Sequence, residues 1–249
     1  MSPLRAVLFD FGGTLYDYQT LDPGEREALL ELAREAGVAA DPDAIHGAHR
    51  RAVRGAFRQY LGRPFYLHAD FFRDALLGMG RTFGVELAPE HLARYRDRQW
   101  DLHRRHFALR EGVLETLREL RGRGLHLGIV SNIDEDQLLH MSEIAGIRGC
   151  FDSILSSEAA GSCKPDSRIY EQALARAGCK RDEAIFVGDS LAQDIAGANR
   201  AGIRCVLLWH RDDRPPPDEV ARPDHVIRRI PELLDVIDRE TNAGVGRAQ

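Results

Sequence analysis

Lysine is nearly absent from this chain of 249 residues. Only Lys164 and Lys180 occur, so 32 of the 34 basic residues are arginines. A lysine ammonium is a compact point charge whose pKa can be tuned by its surroundings, which an arginine guanidinium does not offer. Each of the two lysines is therefore a candidate for a specific role.

The sequence also lacks an excess of basic residues. Its formal net charge is -5 and its pI is near 6.1. Nucleic-acid-binding proteins usually have a basic face and a basic pI. We therefore expect no nucleic-acid partner and predict a small molecule as the ligand.

Cysteines and long apolar runs are scarce as well. The four cysteines have no CxxC spacing, which argues against a zinc knuckle or a disulfide framework. No stretch approaches the roughly 18 to 20 apolar residues that cross a bilayer, and the first ten residues are too few and too polar for a signal peptide. We expect a cytoplasmic protein without a membrane partner.

Short apolar runs alternate with helical patterns over most of the chain. The runs that resemble buried strands cover residues 4–9, 125–130, 153–155, 184–187 and 203–208. Helical patterns of about 10 to 15 residues separate the later runs. Such alternation predicts βαβ units, and hence an α/β fold with a doubly wound, Rossmann-like parallel sheet formed by residues 1–16 and 108–240.

The segment between the first two apolar runs is different, because it contains no strand-like pattern. Amphipathic helices are predicted at residues 23–36, 42–61, 69–83 and 89–106, each opened by Asp, Pro or both. We therefore predict an all-helical cap domain, residues 17–107, inserted after the first strand. Residues 241–249 are expected to form a flexible tail.

Polar residues follow several of the predicted strands. In an open parallel sheet, ligands bind beyond the carboxyl ends of the strands. The residues found at these strand and loop ends are Asp10 with Gly12, Gly13 and Thr14; Ser131 with Asn132; Lys164; and Asp189 with Asp194. Carboxylates, a hydroxyl and an ammonium together suit a phosphate and a hard divalent cation.

Four short motifs carry a family resemblance. They are FDFGGTL at residues 9–15, VSN at 130–132, CKP at 163–165 and GDSLAQD at 188–194. Each motif alone is weak evidence, but their order and their positions after strands match one pattern over almost the whole chain. In these features the chain resembles a haloacid dehalogenase-like hydrolase.

The resemblance implies a nucleophile and a metal ion. Asp10 would attack phosphorus and form an aspartyl-phosphate that water then hydrolyses. Mg²⁺ would be held by the Asp10 carboxylate, the Gly12 carbonyl oxygen and Asp189. Asp194 would be an outer ligand or would orient a metal-bound water.

The resemblance also implies which residues hold the substrate, a small anionic, phosphorylated metabolite. The Ser131 hydroxyl and the Asn132 backbone N–H would bind phosphate oxygens, and Lys164 would neutralise charge between Asp10 and the phosphate. Gly13, together with Gly12, would let the backbone come close to the ligand.

Position 12 departs from the family pattern. Phosphatases of this family usually have a second Asp two positions after the nucleophile as general acid-base, and this chain has Gly12 there. General acid-base catalysis contributes roughly 10² to 10⁴-fold to a rate. Asp17 or Tyr16 could replace the missing acid, or the substrate could have a good leaving group.

Three other functions are less favoured than a phosphatase. A 2-haloacid dehalogenase needs no metal, whereas this chain retains the metal-type motif GDSLAQD. A phosphonatase needs a lysine in the cap, and no lysine precedes Lys164. A phosphate-binding or regulatory protein could have lost the acid and kept the fold, but the retention of Asp10, Lys164 and Asp189 favours an enzyme.

Overall fold

The computed structural model describes residues 3–60, 62–211, 213 and 221–245, with side chains described up to residue 241. The chain divides into two compact units. One unit consists of residues 1–17 and 109–249, and the other consists of residues 18–108. The two limits of the inserted unit each differ by one residue from those expected from the sequence. Asp17 belongs to the first unit, where its carboxylate forms an ion pair with Arg110.

A parallel sheet forms the centre of the first unit. Its strands, among the described residues, are β1 (Ala6–Phe9), β2 (His126–Ser131), β3 (Ser153–Ser156), β4 (Ala184–Gly188), β5 (Arg204–Leu208) and β6 (His225–Ile227). Their spatial order is β3-β2-β1-β4-β5-β6, and every neighbouring pair is parallel. The strand order reverses beside β1: the chain adds β2 and β3 on one side of β1 and then β4, β5 and β6 on the other, so β1 lies between β2 and β4 at the middle of the sheet.

The helices of this unit connect the strands, except α10, which follows β6. They are α5 (Val113–Gly122), α6 (Glu135–Ile144), α7 (Ser157–Ala160), α8 (Ser167–Ala177), α9 (Ala196–Ala201) and α10 (Leu233–Val245). All residues of β1 and β4 are buried, as expected for a parallel sheet that is covered on both faces. The predicted doubly wound α/β fold is confirmed. Strand β6 was not predicted, because it has only three residues and only Ile227 among them is buried.

In the second unit, all regular structure among the described residues is helical. It contains α1 (Asp22–Glu35), α2 (Pro42–Tyr60), α3 (His68–Thr82) and α4 (Pro89–His106). Apolar side chains from all four helices form its core, including Leu29, Ile45, Met79 and Leu102. The predicted all-helical insertion is therefore present. In the described part of the chain, no helix is both long enough and apolar enough to span a membrane.

Helix α10 extends into the segment expected to be a tail. It continues to Val245, so residues 241–245 are helical and the Thr241 hydroxyl donates a hydrogen bond to the Ile237 carbonyl at 2.8 Å. The sequence suggested fraying because this segment lacks apolar periodicity. The rest of the expected tail, residues 246–249, lies outside the described residues.

A short π-helical turn, Leu191–Ile195, precedes α9. Such turns leave backbone carbonyls without their usual helical partners and are frequent at functional sites. Here the hydroxyl of Tyr170, a fully buried residue of α8, donates to the carbonyls of Gln193 at 2.9 Å and Asp194 at 3.1 Å. The Tyr170 ring reaches this position because Gly197 has no side chain.

We expect Gly197→Ala and Gly122→Ala to change the free energy of unfolding in opposite directions. A Cβ at position 197 would lie 2.4 Å from the Tyr170 hydroxyl oxygen, whereas one at position 122 meets nothing within 4 Å. Overpacking should make Gly197→Ala less stable by about 1–3 kcal/mol. Helix propensity should make Gly122→Ala more stable, by up to about 1 kcal/mol. Urea titrations followed by circular dichroism would measure both, and equal effects would contradict the close packing at Tyr170.

Candidate active site

The side chains expected to carry chemistry meet at the carboxyl ends of the central strands. Asp10 directly follows β1, Ser131 is the last residue of β2, and Asp189 directly follows β4. Phe9 is in register with Ile129 on one side and Val187 on the other, so these three strands end at nearly the same level. The topology thus brings Asp10 together with motifs that lie more than 100 residues later in the sequence.

The Asp10 carboxylate accepts hydrogen bonds at both oxygens. Its Oδ1 lies 2.5 Å from Lys164 Nζ and 3.2 Å from Ser131 Oγ, and its Oδ2 lies 3.2 Å from Thr14 Oγ1. Only 6% of Asp10 is exposed. Its orientation is therefore fixed by an ammonium and two hydroxyl groups.

Lys164 bridges two carboxylates. Besides Asp10, its ammonium contacts Asp194 Oδ1 at 2.7 Å, while the other oxygen of Asp194 accepts the Ser190 N–H at 2.9 Å. Burial lowers the pKa of Lys164, but Asp10 and Asp194 act in the opposite direction and raise it well above its usual value. Lys164 is therefore held as a cation in a nearly water-free position.

Asn132 positions the backbone of Lys164. Its side-chain carbonyl accepts the Lys164 N–H at 2.7 Å, and its amide group donates to the Lys164 carbonyl at 2.9 Å. The sequence had suggested only a backbone contact from Asn132 to a phosphate, which stays a prediction. The Asn132 side chain also has a structural role, because its two hydrogen bonds link the loop that contains Lys164 to the end of β2.

Asp10, Asp189 and Asp194 form a cluster of carboxylates. One oxygen of each lies within 4.8 Å of the others, and no second cluster of three potential metal ligands occurs among the described residues. Burial, and then the neighbouring carboxylates, raise the pKa of Asp189. Burial also raises the pKa of Asp194, although Lys164 opposes this shift.

These carboxylates fit a hard divalent cation. In the described part of the chain, the Asp189 carboxylate accepts no hydrogen bond, whereas Asp10 and Asp194 are both held by donors. Lys164 supplies one positive charge for the whole cluster. An ion such as Mg²⁺, which prefers oxygen ligands, would relieve the remaining repulsion.

Two glycines allow the carboxylates to approach the backbone. A Cβ at Gly13, which has a φ of +85°, would lie 2.3 Å from Asp189 Oδ2, and a Cβ at Gly188 would lie 2.4 Å from the Asp194 Cβ. Both positions require glycine for this reason. Gly12 is buried and pairs with Tyr16 in an isolated bridge. Whether its carbonyl binds a metal stays a prediction.

Tyr16 and Asp17, the two residues considered as replacements for the missing acid, both make other contacts. Tyr16 is 3% exposed and packs edge-on against Phe11, with ring centroids 5.1 Å apart. Asp17 Oδ2 lies 3.2 Å from Arg110 Nη1, and Arg110 Nε also donates to the Gly13 carbonyl at 3.0 Å. Arg110 was not identified from the sequence, because it follows the helical insertion and belongs to no recognisable motif.

The chain matches known proteins along most of its length. A family model described as haloacid dehalogenase-like hydrolase matches residues 4–202. A ribulose-1,5-bisphosphate 5-phosphatase from Halopiger xanaduensis is 31% identical over 242 residues, which cover 93% of this chain and 98% of that protein. A glyceraldehyde 3-phosphate phosphatase from Methanopyrus kandleri is 32% identical over 237 residues, which cover 94% and 97% of the two chains.

A solved structure agrees with these matches. The crystal structure of a haloacid dehalogenase-type phosphatase from Thermococcus onnurineus superposes with a TM-score of 0.71 and 25% identity, covering 94% of this chain and 98% of that one. Sequence motifs, fold and relatives thus agree. The chain is a hydrolase that belongs to the haloacid dehalogenase-like hydrolase family and resembles the phosphatases of that family.

Proposed function

We propose that the protein is a Mg²⁺-dependent phosphatase that hydrolyses a small phosphorylated metabolite through an aspartyl-phosphate on Asp10. The observation that carries this proposal is the position of the Asp10 carboxylate, which lies in one cluster with Lys164 and two further carboxylates. The relatives named as ribulose bisphosphate and glyceraldehyde 3-phosphate phosphatases support a small phosphate ester as the substrate class.

Asp10 is suited to the role of nucleophile because its contacts fix the carboxylate and, among the described residues, Oδ2 accepts only one hydrogen bond. Lys164 and Ser131 share Oδ1, and Thr14 holds Oδ2. In the first step, an Asp10 oxygen would bond to phosphorus while the bond from phosphorus to the leaving oxygen breaks. In the second step, water would attack phosphorus, releasing inorganic phosphate and restoring the Asp10 carboxylate.

Charge neutralisation would make the first step possible, since a carboxylate must approach a dianionic phosphate. Lys164 supplies one cation beside Asp10. Asp10, Asp189 and the Gly12 carbonyl would hold Mg²⁺, which when bound neutralises phosphate charge as a Lewis acid. Asp194 is already engaged by Lys164 and by the Ser190 N–H, which favours a role in orientation over direct ligation.

The same cluster argues against a protein that only binds phosphate. A binding site gains nothing from a carboxylate directed at the phosphate, since two anions repel each other. Lys164 is buried between Asp10 and Asp194, so a cation is placed beside the Asp10 carboxylate. This arrangement is costly for a binding protein and necessary for a covalent mechanism.

A substrate screen would test the function directly. We expect turnover of one or more phosphorylated metabolites with Mg²⁺, loss of that turnover with a chelator, and no release of halide from 2-haloacids. Phosphate release and halide release would be measured on the same enzyme preparation. Halide release that survives chelation would instead identify a dehalogenase.

We expect Asp10→Asn to reduce phosphatase turnover by roughly 10³-fold or more, because the amide keeps the shape but lacks the nucleophilic charge. Steady-state phosphate release would measure the loss, and circular dichroism would show that the variant is folded. Asp235→Asn, which changes an exposed carboxylate on α10, is the matched control and should keep its activity. Activity retained in Asp10→Asn would overturn the covalent mechanism.

We expect Asp189→Ala to lose Mg²⁺ binding and Asp194→Ala to lose less of it. At 100 times its Kd, a ligand stabilises the folded state by about 2.7 kcal/mol, so Mg²⁺ should raise the melting temperature of the wild type. Calorimetric titration with MgCl₂ and thermal melts would provide two measurements that do not depend on activity. Unchanged binding in both variants would refute the metal site.

A further inference from the structure

Arg110 contacts the loop that follows β1 at three positions. This loop, residues 11–17, connects β1 to the inserted unit, and Arg110 is the second residue after that unit. The Arg110 backbone N–H donates to the Leu15 carbonyl at 2.9 Å, and its side-chain Nε donates to the Gly13 carbonyl at 3.0 Å. Its Nη1 lies 3.2 Å from Asp17 Oδ2. A single residue, distant in sequence, therefore holds three positions of the loop.

The two carbonyls that Arg110 contacts belong to the residues on either side of Thr14. The Thr14 side chain is fully buried, and its hydroxyl donates to Asp10 Oδ2 at 3.2 Å. A small displacement would break this contact, because hydrogen bonds depend closely on distance and angle. The Thr14 backbone, which Arg110 holds on both sides, thus determines whether the hydroxyl reaches Asp10.

Gly13 connects Arg110 to the carboxylate cluster. A Cβ at position 13 would lie 2.3 Å from Asp189 Oδ2, so the Gly13 backbone directly borders this carboxylate. The Gly13 N–H donates to the Tyr16 carbonyl at 3.0 Å, and Arg110 occupies the Gly13 carbonyl. Because a peptide group is planar, the bond made by the Gly13 N–H also sets the direction of the Gly12 carbonyl. The loop geometry therefore affects two of the groups proposed to bind Mg²⁺.

A guanidinium can make both of these side-chain contacts at the same time. Its N–H groups form a rigid planar fork, so Nε is directed to the Gly13 carbonyl and Nη1 to Asp17. The side chains of Arg110 and Asp17 are 18% and 30% exposed, so dissolved salt screens this pair less than a pair on the open surface. Most basic residues of this chain are arginines, so the contacts, and not the residue type, distinguish position 110.

We propose that Arg110 is a positioning residue for the reaction, an inference that rests on the phosphatase function proposed above. It holds the carbonyls before and after Thr14, which fixes the orientation of the Asp10 carboxylate. It also holds Gly13 against Asp189, which fixes the geometry of the metal ligands. Arg110 acts through the loop and not on the substrate.

The test is Arg110→Lys, which keeps the positive charge and loses the fork. At saturating Mg²⁺, we expect kcat to fall by roughly 10-fold or more for the phosphate ester that the wild type hydrolyses fastest, because groups that orient metal ligands typically contribute this much. KM should stay within about twofold, since the interaction lost is not one with the substrate. The Kd for Mg²⁺ should rise by roughly 10-fold or more in calorimetric titrations with MgCl₂ and no substrate.

The control is Arg118→Lys, the same change at an exposed arginine of α5 that lies 3.7 Å from Glu115. It should leave kcat, KM and the Kd for Mg²⁺ unchanged. Circular dichroism and thermal melts would establish that both variants are folded. A wild-type kcat or a wild-type Kd in folded Arg110→Lys would overturn the inference, even if its melting temperature is lower, because Arg110 would then only stabilise the fold or supply charge.

A milder variant, Asp17→Asn, weakens the ion pair and leaves both hydrogen bonds from Arg110 to the loop backbone. It should change kcat and the Kd for Mg²⁺ in the same direction by a smaller factor. A larger loss in Asp17→Asn than in Arg110→Lys would overturn the inference. If Arg110→Lys does not fold, wild-type values in Asp17→Asn would do so. A wild type that neither binds Mg²⁺ nor hydrolyses a phosphate ester would refute the proposed function, and the inference with it.

Discussion

A buried ammonium shared by two buried carboxylates is the constraint on which the site depends. Lys164, Asp10 and Asp194 are each at least 94% buried, and the lysine contacts both acids at 2.5 and 2.7 Å. Breaking such a group by removing one partner typically costs about 3–5 kcal/mol, because a charge is left unpaired away from water. Only the parallel sheet brings Asp10 within reach of Lys164, 154 residues later in the chain. Fold and site are thus stabilised by the same contacts.

The constraint extends into the core through aromatic rings. Lys164 Nζ lies 5.5 Å from the centroid of the Phe186 ring, and Phe186 packs edge-on against Tyr170 at 5.0 Å. The Tyr170 hydroxyl in turn holds the π-helical turn that carries Asp194. Lys164, the two rings and the π-helical turn therefore contact one another in a closed series, because Asp194 in the turn pairs with Lys164. Each contact restricts the movement of the next group. These groups lie between β4 and the helices that pack on it, so packing in the core determines the geometry of the carboxylates.

The sequence predicted what depends on local pattern and missed what depends on contacts between distant residues. Apolar runs located β1 to β5, and the motifs located Asp10, Lys164 and Asp189 at strand and loop ends. Strand β6 was missed because it has a single buried residue. Arg110 was missed because its contacts with Gly13 and Asp17 exist only in the folded chain. The hydrogen bonds of the Asn132 side chain to the Lys164 backbone were likewise not predicted, since the motif identifies Asn132 but not the residue that it contacts.

The scarcity of lysine has a practical consequence for spectroscopy. Lys180 is exposed, and its ordered contact is made by its backbone N–H to Glu183, so arginine can replace it without loss of that hydrogen bond. A chain with Lys180→Arg would retain Lys164 as its single ε-ammonium. Isotopic labelling with ¹⁵N-lysine would then give one side-chain resonance, free of overlap. That resonance would report the charge state and hydrogen bonding of the group between Asp10 and Asp194 as ligands are added.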